Sequence, residues 1–147
     1  MVSAILIFML AQFIDWRFWH TFAYLIYGLA LLLLLIVLIV GNEINGAKAW
    51  FIIGGFSFQP SEFAKFATAI SVSSYLAYFK VNLKAINFQW IVLGLILAPV
   101  LLILFQPDAG SAITFFSLFI LLYTEGLNPL YYIIGIVLLI IFICSII

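Results

Sequence analysis

The chain has 147 residues, of which 69% are hydrophobic and 7% charged, and its formal net charge is zero. A soluble domain is typically about 25% charged, so this composition excludes an ordinary globular protein, and its hydrophobicity excludes a disordered one. Without a positive excess, nucleic acid is excluded as a partner. A single cysteine, Cys144, and a single histidine, His20, exclude a disulfide framework and a Cys/His zinc site. The mean hydropathy of +1.41 indicates a protein embedded in a lipid bilayer.

Six apolar runs follow one another along the chain, and most approach the roughly 20 residues that a membrane-spanning helix needs. They cover residues 1–14, 22–41, 60–79, 88–105, 109–123 and 130–147. Lipid admits only helices or closed barrels, and the alternating pattern of a barrel does not occur. We therefore predict an all-α polytopic membrane protein with about six transmembrane helices, one of them kinked at Pro99.

Both termini fall within apolar sequence. Residues 1–14 are short for a span and follow no basic residue, and the last apolar run continues to Ile147 without a polar flank. A signal peptide would need a positive start and a small-residue cleavage site, and neither is evident. We therefore expect residues 1–147 to be a partial transmembrane domain, truncated at both ends. The alternative is a complete small protein with short terminal helices.

The predicted spans define two sets of loops on opposite sides of the membrane. Residues 15–20, 80–87 and 124–129 share one side, and residues 42–59 and 106–108 share the other. The first set contains Arg17, Lys80 and Lys84, whereas the second contains only Lys48, so the positive-inside rule places the first set in the cytoplasm. The unusual polar residues then collect at the outer face, and we expect a site in this chain to open outward.

The first outer loop contains two candidate binding residues, Lys48 and Trp50. Asn45-Gly46 is a turn dipeptide, and residues 49–55 predict a small amphipathic or hairpin element on the membrane surface. Lys48 could hold a phosphate group, and Trp50 could stack on a substrate. The alternatives are a headgroup contact for the lysine and a position in the interfacial aromatic belt for the tryptophan.

Gln59 and Pro60 precede the next pair of candidates. Proline suits the first turn of a helix, and Glu62 and Lys65, three residues apart, share a helix face and can pair. An ionisable residue inside a span is a functional hypothesis by default. The alternative is a structural ion pair, in which the helix dipole stabilises Glu62 and Lys65 extends toward the interface.

The second outer turn repeats this arrangement, because Gln106 and Pro107 are followed by the acid Asp108 at a helix N-terminus. Asp108 is either a helix cap or a functional acid. The small residues 110–112 allow close helix packing.

The charged residues of the outer face together predict one pocket. Glu62 and Asp108, with Lys48 and Lys65, form a mixed-charge set that could bind a phosphate-bearing lipid headgroup. The headgroup could bind directly or through a divalent cation, Mg²⁺ or Mn²⁺, with Asp108 and Glu62 as the candidate metal ligands.

Three segments resemble the three ordered motifs of the SEDS family (shape, elongation, division and sporulation). They are Asn45-Gly46-Ala47-Lys48-Ala49-Trp50, Gln59-Pro60-Ser61-Glu62-Phe63-Ala64-Lys65 and Gln106-Pro107-Asp108-Ala109-Gly110-Ser111-Ala112. The resemblance covers essentially the whole chain and corresponds to the second through seventh of the family's ten membrane helices. The departure is Ala-Gly-Ser at residues 109–111, where the pattern more often reads Leu-Gly-Thr. The first motif, followed by Phe51, is more similar to the RodA branch than to the FtsW branch.

The resemblance implies a peptidoglycan glycosyltransferase that polymerises lipid II, a disaccharide-pentapeptide on undecaprenyl diphosphate. The reaction would take place at the outer leaflet of the bacterial cytoplasmic (inner) membrane, with a class B penicillin-binding protein as partner. The implied role is cell elongation and rod shape, or cell division if the FtsW branch applies.

The family motifs also imply which residues bind substrate or are essential: Lys48, Trp50, Gln59, Glu62, Lys65, Gln106 and Asp108. None of these is the catalytic base, because the aspartate proposed for that role in the family lies in an outer loop beyond residue 147. We therefore expect residues 1–147 alone to be inactive.

Two other functions are possible on the sequence alone. A lipid II flippase would need a polar path through both leaflets, but the cytoplasmic halves of the spans are almost wholly apolar. A non-catalytic cell-wall scaffold would not need acids at the outer helix starts. Both therefore rank below the enzyme.

Overall fold

The computed structural model describes residues 15–44, 46–79, 86–124, 130, 133 and 135–137. In chain order the helices are α1 (Trp16–Val40), α2 (Pro60–Phe79), α3 (Ile86–Leu104) and α4 (Ala109–Thr124), and residues 130, 133 and 135–137 are also helical. The strands β1 (Asn42–Ile44), β2 (Ala47–Ile53) and β3 (Phe56–Phe58) lie between α1 and α2. The prediction of a helical protein is confirmed, and a small sheet is added to it.

Helix α1 has the length and composition of a complete membrane span. Its segment Arg17–Val40 contains 24 residues and includes an 18-residue stretch with a mean hydropathy of 2.9. At about 1.5 Å per residue this segment is about 36 Å long, which exceeds the roughly 30 Å hydrocarbon core of a bilayer. The apolar stretch Phe88–Leu104 in α3 is shorter. Among the described residues, α1 is therefore the helix that meets both requirements by itself.

The start of α1 differs from the prediction. Asp15 caps the helix: its Oδ1 accepts a hydrogen bond from Arg17 N at 3.2 Å, and its carbonyl accepts one from Phe18 N at 2.9 Å. The helix therefore begins at Trp16, and the predicted loop over residues 15–20 is wrong. That prediction separated these aromatic and polar residues from the apolar run, although none of them breaks a helix and an aspartate cap initiates one.

The other described helices agree closely with the predicted spans. Helix α2 has the predicted bounds, and α3 and α4 differ from theirs by one or two residues, which is the usual variation at helix ends. Pro99 lies inside α3 and is fully buried. The spans predicted over residues 1–14 and 130–147 lie outside the described residues, apart from the few positions given above.

The connection between α1 and α2 is a three-stranded antiparallel sheet in the order β1-β2-β3. Strands β2 and β3 form the predicted hairpin, with Phe51 opposite Phe58. Their turn uses Gly54 and Gly55 at φ values of +56° and +85°, a region that glycine adopts without steric cost. The prediction allowed for this hairpin but did not include the third strand, β1. The sheet ends directly before Gln59 and so leads into α2.

Gly41 makes a close junction between α1 and β1. Its N–H donates to the Val37 carbonyl oxygen at 2.7 Å. A Cβ at this position would collide with that same oxygen and lie 2.6 Å from Val37 Cγ2. Glycine therefore allows the chain to leave α1 and turn into the sheet, which brings β2 back toward the end of the helix.

Small residues and interhelical hydrogen bonds hold the helices together, as expected for a bundle whose surroundings are as apolar as its side chains. Ser71 Oγ donates to the Ala23 carbonyl at 3.0 Å and joins α2 to α1. Tyr27 Oη donates to the Leu95 carbonyl at 2.9 Å and joins α1 to α3. One buried cluster connects α1, α2, α3 and α4 through Ala30, Leu34, Ala64, Ala67, Ile103, Ala112 and Phe115.

Candidate functional site

The two Gln-Pro turns are confirmed as the starts of α2 and α4. Pro60 opens α2, where its missing N–H would have no partner in any case. Asp108 caps α4: its Oδ1 accepts a hydrogen bond from Ser111 N at 3.0 Å, and its carbonyl accepts one from Ala112 N at 3.1 Å. The capping interpretation of Asp108 is therefore confirmed.

A network of side chains joins these two helix starts. Gln59 Nε2 donates to Asp108 Oδ2 at 2.7 Å and to Ser111 Oγ at 3.1 Å, and Ser61 Oγ donates to Ser111 Oγ at 3.2 Å. We call Gln59, Ser61, Asp108 and Ser111 the bracket. Ser61 and Ser111 are buried, whereas Gln59 and Asp108 are partly exposed. The bracket therefore has a buried base of two hydroxyls and a more open rim that carries the carboxylate.

Gln106 occupies the position in the second turn that Gln59 occupies in the first, but it points elsewhere. It is 1% exposed, and its Nε2 donates to the Leu34 carbonyl of α1 at 3.0 Å. Its Oε1 is buried and has no hydrogen-bond partner among the described residues. This candidate site residue therefore lies inside the bundle and anchors α1.

Glu62 and Lys65 form the ion pair that their spacing predicts, with 2.6 Å between Lys65 Nζ and Glu62 Oε1. The lysine side chain is 26% exposed and the glutamate side chain 62%. The pair lies within one helix and joins no two elements, and exposed pairs of this kind contribute only about 0–1 kcal/mol. It therefore does little to hold the fold and places one anion and one cation at the exposed start of α2.

Lys48 and Trp50 both lie in β2, where the pairing with β1 is irregular: Lys48 is opposite Glu43 and Trp50 is opposite Asn42, the next residue of β1. Lys48 is exposed, and its Nζ donates to the Ile39 carbonyl in the last turn of α1 at 2.8 Å. A cation at a helix C-terminus is stabilised by the helix dipole. Trp50 is half-buried. The structure thus gives Lys48 a capping contact with α1 and shows no contact between it and either acid of the predicted pocket.

The two acids offered as metal ligands make separate contacts: Asp108 with Gln59 and Ser111, and Glu62 with Lys65. The described part of the chain contains no group of three or more His, Cys, Asp or Glu side chains that could hold a metal ion. Mg²⁺ is commonly held by one or two carboxylates together with phosphate oxygens of the substrate. No contact in the described part of the chain joins Asp108 to Glu62, so either acid could hold a metal ion only with phosphate oxygens of a bound molecule as further ligands.

The family model for FtsW, RodA and SpoVE, described as cell cycle protein, matches residues 1–147. The chain belongs to this family. A probable peptidoglycan glycosyltransferase FtsW from Wigglesworthia glossinidia brevipalpis is 42% identical over 102 residues, which cover 67% of this chain and 26% of that protein.

Solved structures share the fold of this chain. The rod shape determining protein RodA of Thermus thermophilus superposes with a TM-score of 0.80 at 36% identity, covering 93% of this chain and 46% of RodA. A chain from a peptidoglycan synthase complex, described in terms of coordinated polymerization and crosslinking, gives a TM-score of 0.78 at 34% identity, covering 96% of this chain and 42% of that one. The chain thus spans less than half the length of these relatives, and members of both the FtsW and RodA branches are similar to it.

Ser61 and Ser111 belong to the site but were not among its predicted residues. For Ser111, the sequence predicted only a role in close helix packing. A usable signal was present, however, since each serine lies within the first turn of a helix that follows a Gln-Pro turn. Hydroxyl groups in the first turns of two helices can meet when those helices pack side by side.

Proposed function

We propose that the chain is part of a membrane peptidoglycan glycosyltransferase that polymerises lipid II. The observation that supports this proposal is the bracket, which holds the Asp108 carboxylate between the starts of α2 and α4 in a member of the FtsW/RodA/SpoVE family. The Glu62–Lys65 ion pair lies in the first turns of α2. The relative from Wigglesworthia is named a probable peptidoglycan glycosyltransferase. We assign the protein to cell elongation, with cell division as the alternative within the family.

The chemistry of this substrate matches the charges of the site. Glycosyl transfer from lipid II releases a diphosphate, whose developing negative charge needs a cation or a metal ion nearby. Lys65 and Lys48 are suited to bind the diphosphate, and Trp50 offers a surface on which a sugar ring could stack. If Mg²⁺ or Mn²⁺ is bound, it neutralises phosphate charge, and Asp108 and Glu62 are the side chains that would hold it. The base that activates the acceptor hydroxyl lies beyond residue 147 in this proposal.

The proposed setting is the bacterial cytoplasmic membrane, with the site open to the outside and a class B penicillin-binding protein as partner. The similarity to a chain from a peptidoglycan synthase complex supports a partner that crosslinks strands. The excess of basic residues at the opposite end of the spans supports the outward orientation.

The activity is tested with the purified full-length protein, alone and with its penicillin-binding partner, on fluorescently labelled lipid II. We expect ladders of glycan polymer on a gel, absent when the protein is omitted. Translocation of labelled lipid II across vesicle membranes without any polymer would contradict the proposal and would favour the flippase.

The orientation is tested at the two ends of α1. In a full-length protein with Cys144→Ser, we introduce Lys48→Cys or Arg17→Cys and label spheroplasts with a membrane-impermeant maleimide. Because α1 is long enough to cross the bilayer, the two positions lie on opposite sides. We expect labelling at position 48 in intact spheroplasts and at position 17 only after permeabilisation. The reverse pattern would place the site in the cytoplasm.

A further inference from the structure

The bracket makes more contacts than a helix cap requires. A cap needs one bond from Asp108 to an N–H of the first turn, and Ser111 N supplies it at 3.0 Å. The other carboxylate oxygen accepts a hydrogen bond from Gln59 Nε2 at 2.7 Å, across 49 residues of sequence. Capping does not account for this second contact.

Ser111 fixes the amide of Gln59 in its turn. Its hydroxyl oxygen accepts hydrogen bonds from Gln59 Nε2 at 3.1 Å and from Ser61 Oγ at 3.2 Å, which uses both acceptor positions of a hydroxyl. Ser111 is 7% exposed and Ser61 1%, so removing this oxygen would strip two donors of an acceptor at a site with little access to water. The Gln59 amide is therefore held at two points, and its direction toward Asp108 is set.

Contacts from two elements fix the plane of the Asp108 carboxylate. Ser111 N holds one oxygen from α4, and Gln59 holds the other from the start of α2. Each carboxylate oxygen can accept about two hydrogen bonds, so capacity for a ligand remains on both. Asp108 is also only half-buried, which leaves it accessible.

We propose that Gln59 and Ser111 are positioning residues that hold the Asp108 carboxylate in the orientation that polymerisation uses. This inference rests on the proposed function and deepens it. Gln59 acts through Asp108 and does not itself bind the lipid-linked sugar. Orientation of this kind matters because a displacement of about 1 Å can lower a rate by about 100-fold.

The first test compares Ser111→Ala with Ser111→Thr in the full-length protein with its penicillin-binding partner, using labelled lipid II. Threonine keeps the hydroxyl and should retain kcat within about threefold, whereas alanine should lower kcat by about tenfold or more. We expect the KM for lipid II to stay near its wild-type value in both variants. Ser111→Ala should lower the melting temperature in detergent, because it leaves the buried Ser61 hydroxyl without its acceptor, so kcat is compared at a temperature at which both variants remain folded. The matched control is Ser117→Ala, because this exposed hydroxyl bonds, among the described residues, only to the Thr114 carbonyl within α4. Full activity is expected.

The second test reverses the polarity of the hydrogen bond between Gln59 and Asp108. Gln59→Glu alone sets two carboxylates against each other and should lower the melting temperature. Adding Asp108→Asn lets the new amide donate to the new carboxylate, so the bond forms again with the charge moved from α4 to α2. We expect this double variant to recover the melting temperature but not kcat.

Recovery of both quantities in the double variant would overturn the proposal, because the bond would then matter only for stability. An unchanged kcat in Ser111→Ala, or an effect on KM alone, would overturn it as well. The wild-type protein separates this failure from failure of the proposed function: an inactive wild type contradicts both, whereas an active wild type with unaffected bracket variants contradicts only the positioning role.

Discussion

Replacing Glu62 and Lys65 together with leucine in the full-length protein is expected to abolish polymerisation of lipid II without reducing the amount of protein in the membrane. The pair joins no two elements, and its glutamate side chain is 62% exposed, so the fold loses only about 0–1 kcal/mol. Removing both partners also avoids leaving one charge without its counterion. Loss of at least about 100-fold in rate, followed as glycan ladders on a gel, would therefore report the use of these charges on the substrate.

Two further variants make this result specific. Ser73→Ala removes an exposed polar side chain from the same helix and should leave activity unchanged. The exchange Glu62→Lys with Lys65→Glu retains an ion pair but reverses its direction, and we expect it to be inactive because each charge faces its own part of the ligand. Full polymerisation by the leucine variant would assign both residues a structural role only.

The helical architecture was predictable because lipid leaves a chain few choices. Uninterrupted apolar sequence must form helices there, and Pro60 and Asp108 carry the standard signals of a helix start, so α2 and α4 begin where they were predicted. The start of α1 was missed because its first turns are aromatic and polar, and composition alone cannot distinguish such a turn from a loop. In the structure, the capping contact of Asp15 makes these residues the first turns of α1.

The site was predictable as a set of residues but not as a set of contacts. The sequence identifies Gln59, Glu62, Lys65 and Asp108 as unusual in a membrane protein, and the spacing within α2 predicts the ion pair. The bond between Gln59 and Asp108 depends on how α2 packs beside α4, which neither segment specifies by itself.

Gln59 and Gln106 likewise show that local sequence does not specify side-chain contacts. Each lies in a Phe-Gln-Pro segment, yet one amide reaches the carboxylate of Asp108 and the other a backbone carbonyl on α1. Their different neighbours decide this difference. A close local similarity between two turns therefore predicted two helix starts correctly but did not predict the same role for both side chains.

Replacing Asp108 with asparagine is expected to stop polymerisation while leaving the fold intact. The asparagine carbonyl oxygen can accept the hydrogen bond from Ser111 N and so keep the cap, since asparagine caps helices about as well as aspartate. If the Gln59 amide flips, its oxygen can accept from the new amide and from the Ser111 hydroxyl, so the contacts between α2 and α4 are kept with their direction reversed. Geometry is thus preserved and only the negative charge is lost.

If the negative charge of Asp108 acts on the substrate or helps to hold a metal ion, its loss lowers the rate directly. We therefore expect the rate on labelled lipid II to fall about 100-fold or more, with normal expression and melting temperature. Asp15→Asn is the matched control, because Asp15 also caps a helix through its carboxylate but lies at the other end of α1 from the sheet. That variant should keep full activity. If Asp108→Asn were as active as the wild type, the helix cap and the contact with Gln59 would fully explain the presence of Asp108. The charge that binds the diphosphate or its metal ion would then have to come from another residue.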